Sequence, residues 1–532
     1  MNNQPHIFMQ TKPFFITTAI DYTNGAPHIG HAYEKVLADV IARYQRMAGR
    51  EVFFLTGVDQ HGQKVQQSAE KQGLAPQEYV DGITQKFIAL WEKLDVQYDA
   101  WAATTEPSHK LCVQKILTRL NAEGHIYKDK RGGYYSIRQE QFLTDKERGE
   151  NGEFGPEWGD VEFREEENYY FRLAEHKDWL LKLIDDRSAA GNPLVIPEFR
   201  VSELRNAVEK LEGDLCISRP KARLSWGIEF PFDPDFVTYV WFDALVNYIS
   251  FAPGYDPGGA RSPEFDALWP ALHVIGKDIL IPAHGVYWPI MLKALGFGDG
   301  EIPQLLVHGW WNIAGAKMSK SLGNSVDPDA LAEKYGAEAL RYYLISDIAT
   351  GKDSDFSEER LIQRYNSELA NSVGNLLNRS LNMASKYREG KLTKILTGTA
   401  EAVIESEAQN KVTKYKTALS AYRPDNGLFE ALSLATICNE LIEIRKPWAL
   451  AKDENLAKDL DSVLYTLAES LRIIAILISP VLPKAAAAIF AQLNWDGPMT
   501  LAEATWGKLP DGHVLGTPTP IFPRILPPAA EV

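Results

Sequence analysis

Two short segments of this 532-residue chain carry side chains suited to handling phosphate. The first, His28-Ile29-Gly30-His31, lies at the joint between an apolar run and an amphipathic one. A spacing of three puts both imidazoles on one face of a first helical turn. That turn also presents unpaired backbone N–H groups and the positive end of the helix dipole, a natural seat for phosphate. Gly30 lets a nucleotide approach the backbone closely. Two imidazoles placed there can donate hydrogen bonds to phosphate oxygens whose charge grows during transfer. The second segment is Lys317-Met318-Ser319-Lys320-Ser321, with Gly315 before it and Gly323 after. Two compact ammonium charges on a glycine-flanked loop suit a mobile clamp over a polyphosphate. The plainer readings are histidines decorating a helix start and a polar surface loop. Against them, the two motifs arise by chance in about one such chain in a thousand and about one in ten thousand.

The elements that must position these groups follow from periodicity. Phe14 to Ile20 is a β-rich run, and Asn24-Gly25 with Pro27 makes a turn. Tyr33, Val36, Leu37, Val40, Ile41, Tyr44 and Met47 then line one face of a helix that Gly49 is placed to end. A second strand, Val52 to Thr56, follows at once. Strand, helix, strand with short joints is a βαβ unit, so the fold class is α/β with a parallel sheet. Residues 1–115 form the first half of that domain. Residues 116–225 change texture, with Tyr134-Tyr135-Ser136-Ile137 beside Gly132-Gly133, and read as a small insertion in which Glu165-Glu166-Glu167 is a solvated turn. Parallel strands resume in 226–300 with Val237–Trp241 and Leu272–Gly276, and 301–360 carries the lysine loop. From 361 the pattern is helical up to Leu493, which predicts an all-α bundle with a proline-rich tail from Pro510 along its surface, ending at 532.

Composition narrows the class further. A net charge of −15 excludes a protein coated with basic residues for indiscriminate nucleic-acid binding, but not a local RNA grip. Cys112, Cys216 and Cys438 are far apart and form no Cys-x-x-Cys pair, which leaves neither a zinc knuckle nor a disulfide framework. Inert thiols in a reducing cytoplasm are the expectation. No targeting segment is visible, and Ile473 to Leu482 is a core helix ending at prolines rather than a membrane span.

The histidine and lysine motifs, in this order and far apart, resemble the signature pair of class I aminoacyl-tRNA synthetases. Within that class the chain resembles the methionyl-tRNA synthetase family from about residue 12 to about 500. The resemblance is carried by Thr18–Tyr22, Thr56–Gly62, Glu167–Phe171, Tyr239–Ala244, Gly276–Ile279, Tyr287–Pro289, Asn375–Arg379 and Lys446–Trp448. It implies a Rossmann-like catalytic domain split by a connective-peptide insertion and followed by an anticodon-binding bundle. It also implies a monomer whose partners are ATP with Mg²⁺, methionine and methionine tRNA. Ala19, Ile20, Tyr22, Asp59, Trp241, Ala244, Tyr248, Ile279 and His284 would surround methionine, with aromatic walls suited to a polarisable thioether. His28, Gly30, His31, Gly276, Asp278 and Lys320 would hold ATP, with His28, His31, Lys317 and Lys320 catalytic. Asn375, Arg379 and Trp448 would read the anticodon. Residues 361–395 add six cations against two anions.

Two departures from the family stand out. The insertion lacks the zinc knuckles that many members carry, so no zinc is expected and aromatic packing must hold it. The run from Asp278 to His284 is one residue longer than usual. Two rivals remain. Other class I synthetases for branched aliphatic amino acids need far larger editing insertions. An inactive RNA-binding relative would have no reason to keep His28, His31, Lys317 and Lys320.

Overall fold

One parallel sheet of seven strands places the site. In chain order its strands are β1 (Phe14–Thr18), β2 (Asp21–Tyr22), β3 (Val52–Asp59), β4 (Ala100–Ala103), β5 (Val195–Ile196), β6 (Leu272–Gly276) and β7 (Gln304–His308). β1 pairs with β3 on one side (Phe14 beside Val52) and with β6 on the other (Ile16 beside Leu272). β4 extends the sheet beyond β3, while β7 and then β5 extend it beyond β6. β2 continues the line of β1 along the end of β3. Strand order therefore diverges between β1 and β6, and a parallel sheet opens a crevice beyond the carboxyl ends of its strands at such a point. The computed structural model describes residues 12–138, 141–143, 147–149, 151–258, 261–313, 315–317 and 326–526, with 141, 142, 316 and 317 described by backbone alone.

The helix that follows β2, α1 (Ile29–Met47), is buried at 15 of its 19 residues, including the ionisable Glu34, Lys35 and Asp39. Charges survive inside only when matched. Asp39 meets Arg341 at 2.7 Å, both side chains fully buried, and also meets Arg43 at 2.7 Å. Arg341 donates further to the carbonyls of Leu94 (3.0 Å), Pro480 (2.8 Å) and Val481 (2.9 Å). One guanidinium thus joins α1, the turn after the helix Pro76–Lys93, and the helical bundle. The far end of α1 meets the same bundle, where Leu501 N–H donates to the Met47 carbonyl and Tyr44 packs edge-on to Tyr415.

The bundle runs from Glu358 through Asn375–Arg388, Thr399–Ser420, Pro424–Arg445 and Ala457–Ile478 to Pro483–Gln492. Ile473 does lie in a buried helix, which ends at Ile478 before Pro480. From Pro510 to Leu526 the tail lies along the bundle and buries Leu515 and Phe522.

Three expectations are corrected. Glu165–Glu167 is no turn: it lies within the strand Val161–Phe171, paired antiparallel with Ile126–Ser136. Lys128 pairs with Glu167 (3.0 Å), Lys130 with Glu165 (3.3 Å) and Arg223 with Glu166 (3.1 Å), so cations offset the acidic run where the strands pair. Val237–Trp241 is not a parallel strand. The strand Asp233–Thr238 belongs to a small antiparallel sheet, and Val240 already begins the helix α2 (Val240–Ser250). The segment 116–225 is not all insertion: it lends β5 to the central sheet before Leu215–Cys216 return to the inserted sheet beside Val161–Phe171. Aromatic packing runs through the insertion: Tyr134 contacts Phe154 and Phe163 within 5.4 Å, and Tyr127 stacks on Tyr170 at 5.9 Å.

Replacing Arg341 by Met leaves Asp39 buried without its main partner and strands three carbonyls. Breaking such a pair from one side costs about 3–5 kcal/mol. Chemical denaturation should show a loss of that size, and a loss below ~1 kcal/mol would contradict the rivet.

Candidate active site

A cavity of about 390 Å³ opens over the carboxyl ends of β1, β3, β6 and β7. Ala19, Ile20 and Tyr22 reach it from the β1–β2 edge, Asp59 from the end of β3, and His28, Gly30 and His31 from the first turn of α1. Trp241, Ala244 and Tyr248 line it from α2, and Gly276, Asp278, Ile279 and His284 from the segment after β6. The residues expected around methionine and the adenosine thus border one space. Asp21, Glu34, Lys64, Asn247, His308 and Trp310 border it too and were not foreseen. Charged residues on a helix or strand read as solvent-facing, and His308 sits in an apolar strand with no neighbouring motif.

The two motif histidines are locked before any ligand arrives. His28 is the N-cap of α1, its Nδ1 accepting from Gly30 N–H at 3.1 Å, while His31 Nδ1 accepts from His28 N–H at 3.1 Å. The rings stack 3.8 Å apart, and His31 packs edge-on to Phe87. An Nδ1 that accepts carries no proton, so in each neutral ring the proton belongs to Nε2. Both Nε2–H groups are therefore donors suited to phosphate oxygens. Gly30 is needed for this: a Cβ there would lie 2.9 Å from His28 Cε1.

Behind the histidines sits a buried charge cluster. Lys35 Nζ contacts Asp21 Oδ1 (2.8 Å), Glu34 Oε1 (2.8 Å) and the Ala19 carbonyl (2.9 Å). Glu34 Oε2 lies 3.0 Å from His308 Nε2. Burial pushes the Asp21 carboxyl up to about 7, against the pull of Lys35. Burial also acts to raise Glu34, but Lys35 and His308 outweigh it and hold that carboxyl below its usual range. Burial alone would lower Lys35, and its two carboxylates keep it above the ordinary lysine value. Asp21 and Glu34 are thus matched from within rather than left as bare negative charge.

The apolar end is similarly fixed. His284 Nδ1 lies 2.9 Å from the Ile279 carbonyl, which can only accept, so Nε2 accepts from Tyr248 Oη at 2.7 Å. Burial lowers His284 to about 4, which keeps the ring neutral at pH 7. Tyr248 also stacks on His273 at 4.0 Å, and His273 accepts from Trp288 Nε1 and contacts Thr17 Oγ1. His284 sits in a wide π-type coil, Leu280–Tyr287, kinked at Ile281, which has extended backbone. Asp59 Oδ1 accepts from His61 N–H and Thr104 Oγ1, both at 3.4 Å.

Comparison with known proteins matches this arrangement. Residues 14–153 and 158–381 match the family described as tRNA synthetases class I (M), and 394–530 match the anticodon binding domain of methionyl tRNA ligase. The methionine–tRNA ligase of Caldanaerobacter subterraneus is 41% identical over 521 residues, covering 97% of this chain and 79% of the relative. That of Streptococcus pneumoniae is 39% identical over 535 residues, covering 97% and 78%. The chain belongs to the methionyl-tRNA synthetase family. The solved Mycobacterium tuberculosis methionyl-tRNA synthetase in complex with methionyl-adenylate superposes with a TM-score of 0.88 at 36% identity, covering 97% of this chain and 100% of that one.

Two further sets of family positions remain. The backbone of Lys317 pairs with Asn312 at the edge of a short hairpin, whereas Lys320 lies outside the described residues. Asn375 and Arg379 line a second, more open groove of about 590 Å³ together with Asn439 and Glu443. Trp448 is not among the residues lining that groove; it stands 38% exposed on the next short helix, Pro447–Leu450. Half of the expected cationic patch is matched in place: Arg364 pairs with Asp347 and Glu368, Arg379 with Glu443, and Arg388 with Asp461.

His28→Asn separates capping from chemistry. Asn is a good N-cap, so stability should stay within about 1 kcal/mol. The lost Nε2–H should lower the rate of adenylate formation by about 10²–10³-fold. Stopped-flow activation kinetics beside thermal melts check both; an unchanged rate contradicts the donor role.

Proposed function

We infer that this chain activates L-methionine with ATP to form methionyl-adenylate, then transfers the methionyl group to the 3′ end of methionine tRNA. The observation that carries the reading is a single cavity with a doubly histidine-capped helix start at one end and, at the other, a carboxylate beside an aromatic, sulfur-tolerant pocket. In the first step a methionine carboxylate oxygen attacks the α-phosphorus of ATP and pyrophosphate leaves. ATP enters as its Mg²⁺ complex, the ion belonging to the substrate's phosphates. The Nε2–H donors of His28 and His31, with the ammonium groups of Lys317 and Lys320, offset the charge that builds on the phosphate oxygens. Gly276 and Asp278 hold the adenosine, and Asp59 takes the substrate ammonium. Trp241, Tyr248, Ala244, Ile279 and His284 enclose the thioether, with Ala19, Ile20 and Tyr22 closing the pocket.

In the second step a hydroxyl of the terminal ribose attacks the methionyl carbonyl and AMP leaves with its bonding electron pair. No covalent enzyme intermediate is required, because orienting two reactants in one cavity can supply about 7–11 kcal/mol of the barrier. Asn375, Arg379 and Trp448 read the anticodon, with Trp448 stacking a splayed base and Arg379 exchanging Glu443 for RNA. Among the described residues no helix is long and apolar enough to cross a membrane. Burial pushes the free thiols of Cys112 and Cys438 up to about 12, which keeps them inert.

Exchange of labelled pyrophosphate into ATP, run over all twenty amino acids, should respond to methionine alone. Exchange with another amino acid would overturn the pocket assignment. Lys320→Ala should lower kcat for exchange about 10²-fold with the KM for methionine nearly unchanged; normal kinetics would remove Lys320 from the phosphate clamp.

A further inference from the structure

Between the carboxylate end of the pocket and its aromatic wall lies a buried contact that the reaction scheme does not use. The turn after β3 runs Asp59-Gln60-His61-Gly62, and it is wedged against the opposite wall. A Cβ on Gly62 would lie 2.5 Å from Tyr22 Oη and 3.4 Å from a methyl of Val240 at the start of α2. Gly62 also has φ +107°, a conformation that side chains disfavour. Gln60 N–H donates to Thr104 Oγ1 at 2.9 Å, and the Gln60 carbonyl accepts from Trp226 Nε1 at 2.5 Å. His61 then turns into α2, where its Nδ1 stands 3.0 Å from Asp243 Oδ2 with no ring N–H donated between them, so that a protonated Asp243 carboxyl is the group able to donate to it; the side chains are 3% and 0% exposed. Asp243 Oδ2 also accepts from Thr238 Oγ1 at 3.3 Å.

Two features make this contact more than core filling. The backbone N–H of His61 is one of the donors to Asp59 Oδ1, so wherever the His61 ring is held, a donor to the Asp59 carboxylate is held with it. Asp243 sits in the first turn of α2 between Trp241 and Ala244, which both line the cavity. We propose that His61 and Asp243 form a buried clasp that fixes the Asp59 carboxylate relative to the thioether pocket, making His61 a positioning residue for the substrate ammonium. The clasp rests on the reading of Asp59 as the ammonium partner. Burial favours the uncharged forms of both groups, lowering His61 to about 3 and raising Asp243 well above the carboxylate range, so the clasp adds no net charge beside the ammonium site.

The test uses two competitors of methionine in pyrophosphate exchange. L-Methioninol keeps the ammonium and thioether; 4-(methylthio)butanoate keeps the thioether and carboxylate but lacks the ammonium. His61→Phe keeps ring volume and removes the polar contact. It should weaken methioninol about tenfold and change the desamino acid by less than about twofold. His61→Asn, whose Oδ1 can accept in the place of Nδ1, should restore methioninol binding to within about threefold of the native protein. A general loosening of the fold would weaken both competitors alike, and that result, or no change in either, overturns the clasp. Asp59→Asn runs in parallel: if it spares methioninol, the ammonium reading itself fails and the clasp with it. If it weakens methioninol selectively while His61→Phe does not, only the clasp falls. Should His61→Phe not fold, Asp243→Ala carries the same comparison.

Discussion

Burying ionisable side chains along a single helix is the constraint around which this molecule is arranged. α1 carries Glu34, Lys35 and Asp39 as buried residues, and each must find a partner of opposite charge or be neutralised. The partners come from other parts of the chain: Asp21 from the β2 edge, His308 from the end of β7, and Arg341 from a helix that also touches the bundle. Satisfying those charges therefore fixes the relative positions of the sheet, the helix and the bundle. The same helix holds the two motif histidines at one end and contacts the bundle at the other, so the active-site geometry and the domain arrangement rest on common supports.

That arrangement suits a reaction whose catalysis is mostly placement. The caps on His28 and His31 decide which ring nitrogen carries the proton, and neutral His284 and His273 support Tyr248 without adding charge. Donors held in this way need no reorganisation when charge develops. Two carboxylates beside the cavity, Asp21 and Glu34, are matched from within, Asp21 by Lys35 and Glu34 by Lys35 and a contact to His308, which spares an incoming polyphosphate some of the repulsion that bare acids would impose.

Much of this was legible in the sequence, and the exceptions have physical reasons. Alternating apolar runs disclosed β1, α1 and β3, and the helix ends next to Gly49, whose φ of +85° few other residues adopt readily. The residues that resemblance grouped around methionine and ATP border one cavity, apart from Lys320, which lies outside the described residues. The charge cluster was invisible because Glu34 and Lys35 interrupt an apolar face exactly as solvent-facing residues would. The acidic run at 165–167 misled for the opposite reason: its neutralising lysines lie on the paired strand, about forty residues away in sequence. Val237–Trp241 looks like one β-rich segment, yet the strand stops at Thr238 and α2 starts at Val240 because packing, rather than propensity, sets that boundary. The pairing of Arg379 with Glu443 depends on two helices meeting, which periodicity does not encode.

The claim at the centre of this account is that α1 is a rigid, pre-built platform. Native-state hydrogen exchange on its backbone amides measures that directly, because an amide held by a buried, fully matched helix opens only with the whole domain. The amides from Ala32 to Ala42 should exchange at the slow limit set by global unfolding, with or without methionine and ATP. Exchange of that stretch within seconds in the ligand-free protein, slowed only when substrates bind, would contradict the account and make the platform a product of binding.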